Sequence, residues 1–415
     1  MLINSQKFKL YDDPAQMEPL LPGEHRLGAL LEQAGDVIRA ADRLSGMCQP
    51  QALAGLRGLL RAMHSYYSNR IEGQHTLPLE IEQALRSDYS QDADKARRQR
   101  LALAHIASEA HFEQLGAANA VALGAKATNA QALPVWAAQS VCAIHGDLFA
   151  RLPLADRLLA DGSALWPGAL RTGEVSVGRH AAPSATALPA FLERWAGFYG
   201  RVRRGELQLL AVAASHQRLA WIHPFADGNG RVARLHTQLA LGAMGLTNGL
   251  WSPLRGFARN QEAYYAQLTA ADEPRAGDLD GRGNLGEAAL VGWIAYVLDL
   301  CAEQVAFMTG LLDLEGMKGR IAACLAYEQH VVKLGARTEA LRPLHYAFAT
   351  QGEVERADFK AMLGLGDRLA TAQVSALLAR GLLESDTPHG KLRFGVPQHA
   401  LRFYFPKLWP EAEGV

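Results

Sequence analysis

The feature that most constrains this chain is a tight turn between two helix-forming runs, His223-Pro-Phe-Ala-Asp-Gly-Asn-Gly-Arg231. Upstream of it, Leu207, Leu210, Ala214 and Trp221 recur at helical spacing, which predicts a buried helix over Glu206 to Ile222. Pro224 disfavours helical backbone at the residue before it, so His223 is expected just past the helix end. Downstream, Val232, Leu235 and Leu239 fall at three- and four-residue intervals, the buried face of a second helix. Two packed helices must therefore be joined through a short loop, and Gly228 and Gly230 let its backbone turn and approach a ligand unobstructed.

The chemistry of the loop is specific. Free amides at the start of the second helix, together with its dipole, favour negative charge. Arg231 and Arg234 project from one side of that helix's first turns. Cations so close to a helix N-terminus are disfavoured unless an anion sits there, so an anion is expected. Asp227 cannot serve phosphate directly, since both are negative. It makes sense beside a divalent cation, and Mg²⁺ prefers one or two carboxylates plus phosphate oxygens. His223 is the nearby group that titrates closest to neutrality, which suits a general base.

This stretch resembles the signature of the Fic family, His-x-Phe-x-(Asp or Glu)-Gly-Asn-Gly-Arg-x-x-Arg, with every specified position present. The resemblance implies transfer of AMP from ATP to a Ser, Thr or Tyr hydroxyl of a protein, with release of pyrophosphate. It implies that His223 deprotonates the hydroxyl, Phe225 anchors the loop and Asp227 holds Mg²⁺. Gly228, Asn229 and Gly230 would cradle phosphates, Arg231 would help bind them, and Arg234 would hold the γ-phosphate. The Gly-Asn-Gly core, without the lysine of the family's phosphotransferase branch, favours AMP transfer.

A second motif lies upstream. Leu56, Leu59, Leu60, Met63, Tyr67 and Ile71 form one apolar stripe, so Gln51 to Gly73 is predicted to be a helix ending at Gly73. A carboxylate at a helix C-terminus is electrostatically disfavoured, so Glu72 is expected to have a cationic partner elsewhere. Ser68-Asn-Arg-Ile-Glu72-Gly73 resembles the inhibitory motif of N-terminally inhibited Fic proteins. That resemblance implies a Glu72–Arg234 pair occupying the place of the γ-phosphate, with Ser68 one turn before it. In some relatives the same glutamate also supports removal of AMP.

Leu170 to Gly178 alternates apolar and polar residues between glycines, a short-hairpin signal closed by Pro183. It resembles the family's flap, which docks a target by strand addition. Arg171 and Val177 are the candidate target or nucleotide contacts there. Asn260 to Leu268 carries Tyr264 and Tyr265, and the resemblance places a tyrosine-bearing helix at the adenine pocket, where an aromatic face suits purine stacking.

With 415 residues, 49% hydrophobic and formal net charge +0, the chain is long enough for two or three domains. Balanced charge argues against bulk attraction to nucleic acid or membranes. Met1 to Lys9 lacks the basic start and apolar run of a signal peptide, and no apolar run is read as long enough to span a bilayer. Cys48, Cys142, Cys301 and Cys324 show neither zinc nor disulfide spacing, consistent with reduced thiols in a cytoplasmic protein.

Further helices are predicted over Leu101–Leu115, Ala138–Arg151 and Ala288–Leu312, with a loop over Thr269–Glu287. Beyond about Met317 come helices at Leu341–Ala349, Arg356–Leu363 and Leu369–Arg380, then a hairpin with a basic tip. That order resembles a winged helix-turn-helix. Arg368, Gln373 and Ser375 are candidates to reach a DNA groove, and Lys391 and Arg393 to touch phosphates. The expected fold is mostly α: a helical N-terminal region over residues 1–110, a Fic core with a small β-hairpin flap over 111–314, and a winged helix over 315–415. The expected activity is Mg²⁺-dependent protein adenylylation from ATP, held off by Glu72. The target would be a hydroxyl-bearing protein, itself included, and the resemblance further suggests a homodimer. Alternatives are a nucleotide-sensing DNA-binding regulator, a bifunctional enzyme that also removes AMP, and transfer from UTP or CDP-choline.

Overall fold

The computed structural model describes residues 11–47, 53–124, 134–202, 205–350 and 352–408. Cys48, the start of the predicted helix at Gln51 and the Met1–Lys9 segment lie outside the described residues. Along the chain run α1 (Gly28–Gly46), α2 (Leu53–Ile71), α3 (Pro78–Leu85), α4 (Ala93–Gly124) and α5 (Ala138–Ala150). A hairpin of β1 (Ser176–Val177) and β2 (His180–Ala181) follows, then α6 (Leu188–Tyr199), α7 (Glu206–Ile222), α8 (Asn229–Ala243), α9 (Leu254–Arg259), α10 (Gln261–Asp272) and α11 (Glu287–Leu312). The last elements are α12 (Leu314–Tyr327), α13 (Leu341–Thr350), α14 (Arg356–Leu363), α15 (Asp367–Ala379), the hairpin of β3 (Leu383–Glu384) and β4 (Arg393–Phe394), and α16 (Gln398–Tyr404). The fold is mostly α, with two small antiparallel hairpins among the described residues.

The chain groups into two compact units. The first holds the described residues up to Ala41 with His64–Asn248 and Ser252–Gln304; the second holds Asp42–Met63, Gly249–Trp251 and the chain from Val305. No limit of a unit falls near residue 110, and the last limit falls at Val305. Contact in space, not order in sequence, puts the end of α2 with the His223–Arg231 loop.

In the first unit α7 and α8 pack along each other, and α6 and α10 lie against α7. The expected single buried face of α7 is too modest: Leu209 through Leu219 are all buried, while Leu207 is exposed. A helix enclosed on all sides needs no amphipathic pattern, so the loop that leaves it starts from a fixed point. Trp195, Trp221, Trp293, Phe191 and Tyr199 fill the surrounding core. One correction concerns α11. By length and composition it is apolar enough to cross a membrane, contrary to the sequence expectation. Here it turns Leu290, Trp293, Ile294, Val297, Leu298 and Cys301 into the interior.

In the second unit α12 packs on α13 and α16, and α13, α14 and α15 follow in contact. Leu383 pairs with Phe394 and Glu384 with Arg393. Two expectations about nucleic acid fail locally. Gln373 is buried, its amide set between the Gly335 carbonyl and the Arg337 amide, so it does not reach outward. Lys391 lies 3.1 Å from Glu355, and Arg393 is paired with Asp386 at 2.5 Å and with Glu353 at 3.4 Å. The basic tip is neutralised by its own acidic neighbours. Arg368 and Ser375 are exposed.

Candidate active site

The site starts at the end of α7. His223 adopts left-handed backbone (φ 49°) and its amide donates to the Leu219 carbonyl at 3.2 Å. Pro224 pushes the preceding residue off the helical path, and this residue takes the left-handed exit. Two bonds then fix it from the segment that leads into β1. Arg171 Nε donates to the His223 carbonyl (2.9 Å), and the Arg171 amide donates to the Pro224 carbonyl (3.0 Å). On β2, the His180 Nε2 donates to the Trp221 carbonyl at 2.8 Å. The flap thus grips residues 221–224 from outside.

Phe225 is completely buried, and Asn229 closes the loop over it. Asn229 Oδ1 accepts from the Phe225 amide (2.8 Å) and Nδ2 donates to the Phe225 carbonyl (2.7 Å). The Asn229 side chain is spent on the loop's own backbone, so any phosphate contact there falls to main-chain amides. Gly228 sits at φ 82°, where a side chain is strained, and a Cβ there would lie 2.5 Å from the Phe149 ring. The first intrahelical bond of α8 runs from the Val232 amide to the Gly228 carbonyl at 3.0 Å. The amides of Asn229, Gly230 and Arg231 are therefore the helix's first-turn donors, left without intrahelical acceptors.

Around these amides the charge is positive. Arg231 is buried, lies 5.4 Å over the Phe149 ring and reaches Asp227 at 3.2 Å. Its Nε is buried without a hydrogen-bond partner among the described residues. Arg234 is 1% exposed and donates from Nε to Ser68 Oγ (3.1 Å), from Nη2 to the Ser68 carbonyl (3.0 Å), and from Nη2 to Glu72 Oε1 (2.5 Å). Glu72 is the residue after α2, where Gly73 takes φ 71° and its amide returns to the Arg70 carbonyl. Burial alone would raise the Glu72 carboxyl, but Arg234, Arg231 and His223 outweigh it and hold it below the ordinary value. Burial would lower Arg234, yet Glu72 and the Tyr264 hydroxyl leave it higher still. Both partners are charged at neutral pH. A Cβ on Gly230 would collide with Glu72 Oε1, so the carboxylate lies directly over the glycine of the loop.

Burial, then the charge of Arg171, pushes the His223 imidazole down to about 4, with Glu72 pulling weakly the other way. This environment keeps the imidazole neutral at pH 7.

The remaining predicted residues divide. Asp227 is half-exposed, accepts its own Gly228 amide at 2.6 Å and keeps both oxygens near Arg231. Arg171 is buried on the His223, Gly173 and Pro183 carbonyls. It clamps the flap to the loop and offers nothing to a target. Val177, opposite His180 in the hairpin, is exposed. Tyr264 is buried against Phe257 and Trp293, with its hydroxyl 2.9 Å from His216 Nε2, so its ring presents no open face. Tyr265 is exposed and donates its hydroxyl to the Ile71 carbonyl at 3.1 Å. Sequence reasoning missed His145, Phe149, His180 and Gln261. A histidine among Ile144, Leu148 and Phe149 on α5 is the kind of buried polar residue that signals a partner.

With this geometry in view, the comparisons define the class. Residues 136–241 match the model of the Fic/DOC family. The crystal structure of a Fic family protein from Desulfovibrio desulfuricans G20 superposes with a TM-score of 0.52 at 17% identity, covering 92% of this chain and 99% of that one. The chain carries a Fic/DOC domain on a Fic-type helical fold. Among named proteins, Protein adenylyltransferase Fic of Drosophila virilis is 30% identical over 123 residues, 29% of this chain and 24% of that protein. The protein of the same name in Culex quinquefasciatus is 29% identical over 123 residues, with the same two shares. The chain spans about a quarter of the length of these curated relatives.

Proposed function

We propose that this protein is an adenylyltransferase that moves AMP from ATP to a protein hydroxyl, and that Glu72 holds it inactive. The observation that carries the reading is the Glu72 carboxylate seated on buried Arg234, directly above Gly230 of an amide-lined, doubly cationic loop. The named relatives are protein adenylyltransferases, which supports AMP as the transferred group.

The first-turn amides of α8, Arg231 with its unpartnered Nε, and Arg234 once freed of Glu72 together suit a polyphosphate. The neutral imidazole of His223 takes the proton of the incoming hydroxyl. The hydroxyl oxygen bonds to the α-phosphorus, the α–β phosphoanhydride bond breaks, and pyrophosphate carries away the electron pair. Asp227 is a half-exposed hard oxygen donor beside these amides, a donor set that fits Mg²⁺ shared with phosphate oxygens. When bound, Mg²⁺ would neutralise phosphate charge. Stacking of the base would fall to the exposed Tyr265.

We read the C-terminal helices and hairpin as a winged helix-turn-helix used for protein contact, because its wing cations are already paired with Glu353, Glu355 and Asp386.

Incubation with labelled ATP and Mg²⁺ tests the proposal. Glu72→Gly should label itself about a hundredfold faster than wild type, the effect of removing an inhibitory preference of ~3 kcal/mol. His223→Ala in that background should abolish labelling. Equal labelling of wild type and Glu72→Gly would remove the inhibitory role.

A further inference from the structure

His145 of α5 touches neither the signature's charges nor the flap strands, yet it joins three segments of the site. Its Nδ1 accepts from the Gly168 amide at 2.8 Å, which places the ring proton on Nε2. That Nε2 donates to the Asp227 carbonyl at 3.2 Å. The ring itself stacks on Phe225, centroids 4.0 Å apart and planes at 15°, and packs on Phe149 at 4.6 Å. Gly168 begins the segment that reaches Arg171, and Arg171 holds the other end of the catalytic loop at His223 and Pro224. Gly168 sits at φ 78°, where a side chain is strained, and a Cβ there would press on the Cys142 carbonyl at 3.1 Å.

We propose that His145 is a positioning residue for the transfer reaction. It fixes the Phe225–Asp227 half of the loop, and the root of the flap, to α5 in one geometry. Arg171 sets where the loop begins and His145 sets where it turns into α8. A site whose amides, Asp227 carboxylate and His223 ring must converge on one phosphorus depends on both, since a misplacement of about 1 Å costs on the order of a hundredfold in rate. This inference rests on the functional reading given above.

The test uses the full chain in the Glu72→Gly background and measures auto-modification rate against ATP concentration, ATP affinity by calorimetry, and thermal melting. His145→Phe keeps the ring stack and deletes both hydrogen bonds. His145→Gln restores a donor at the Nε2 position, and His145→Asn restores an acceptor at the Nδ1 position. His145→Phe should lower the maximal rate about 30- to 100-fold while ATP affinity changes less than about threefold. His145→Gln should recover much of the rate, and His145→Asn little of it. If all three melt lower yet keep the parent's maximal rate, His145 only stabilises the fold and the proposal is overturned. If His145→Phe does not fold, Gln and Asn variants with equal maximal rates overturn it as well. A parent that binds ATP but never takes label defeats the functional reading instead. Hydrogen exchange then decides the positioning claim: His145→Phe must loosen residues 223–231 and 168–171 and leave α7 and α10 protected, and uniform loosening overturns it.

Discussion

Glu72 Oε1 accepts a hydrogen bond of 2.5 Å from Arg234 Nη2 across 162 residues of sequence. Arg234 is buried, and it also bonds the hydroxyl and carbonyl of Ser68, on the same helix as the residue before Glu72. One guanidinium therefore holds the whole C-terminal turn of α2. It satisfies one orphan carbonyl of that helix end, that of Ser68, while it neutralises a carboxylate that the helix dipole disfavours. On the proposed function the contact stabilises the fold and obstructs an anion, and these two effects separate experimentally.

Replacing Glu72 with glycine should make the protein less stable in the absence of nucleotide and more responsive to it. Breaking a buried ion pair by removing one partner costs ~3 to 5 kcal/mol. Here Ser68 and Tyr264 continue to serve the guanidinium and Glu72 is partly exposed, so a loss of about 2 kcal/mol is expected. Added ATP with Mg²⁺ should recover that loss, since a ligand at a hundred times its Kd adds about 2.7 kcal/mol. Differential scanning calorimetry of both proteins, with and without ATP, checks this. An apo Glu72→Gly protein as stable as wild type would contradict it.

Tyr265 and Gln261 should tune the obstruction without touching Glu72. The Ile71 carbonyl, one residue before Glu72, accepts from Gln261 Nε2 at 2.8 Å and from the Tyr265 hydroxyl at 3.1 Å. Both donors come from α10 and hold the end of α2 in place. A single neutral hydrogen bond contributes about 1 kcal/mol. Gln261→Ala should therefore raise basal labelling of the otherwise wild-type chain by about fivefold. In the Glu72→Gly background the same change should be close to neutral. The double-mutant comparison is the check, and equal effects in both backgrounds would place Gln261 in nucleotide binding instead.

Acid dependence should report the burial of His223. Its folded pKa is lowered to about 4, against about 6.5 in an unfolded chain. The folded protein thus binds fewer protons between those values, and stability contributed by the neutral ring is complete above about 6.5 and lost as pH falls toward 4. The base stays competent over the same window. In the Glu72→Gly protein, kcat/KM should be flat from pH 8 to about 5.5 and fall only below that, because this ratio follows the free enzyme. Removing Glu72 removes a group that raises the histidine, which moves the acid limb further the same way. An acid limb near 6.5 would mean that the imidazole is more exposed to water than its position after α7 indicates.

Much of this site is legible in the sequence, and the limit of that legibility is physical. The predicted limits Glu206–Ile222 and Arg356–Leu363 match α7 and α14 at both ends. The need of Glu72 for a cation followed from its place at a helix end. What stayed hidden depends on contacts that no spacing encodes. The resemblance puts Asn229 in a phosphate cradle without saying which of its atoms serve, and its carboxamide is the right length to close on the Phe225 backbone. Arg171 looks like a free cation on a flap, but three carbonyls surround it. Tyr264 and Tyr265 are neighbours in sequence, and helical geometry alone sends one into the core and the other outward.

The clamp of Asn229 on Phe225 gives the sharpest prediction, because it distinguishes a structural amide from a phosphate ligand. Oδ1 accepts the Phe225 amide and Nδ2 donates to the Phe225 carbonyl, so the two arms need opposite hydrogen-bonding character on one side chain. Aspartate keeps the first arm and turns the second into two oxygens facing each other. Asn229→Asp should therefore lose stability, by about 1 to 3 kcal/mol, even without nucleotide, since it leaves a buried carbonyl opposed to a carboxylate. Asn229→Ala should lose both arms and about the same amount. In the Glu72→Gly background both should cut the labelling rate by about a hundredfold, through displacement of the loop amides. Unfolding by urea in the absence of ATP separates the two accounts. A residue that only contacts phosphate would leave the apo midpoint unchanged, whereas the clamp predicts that the midpoint falls in both variants.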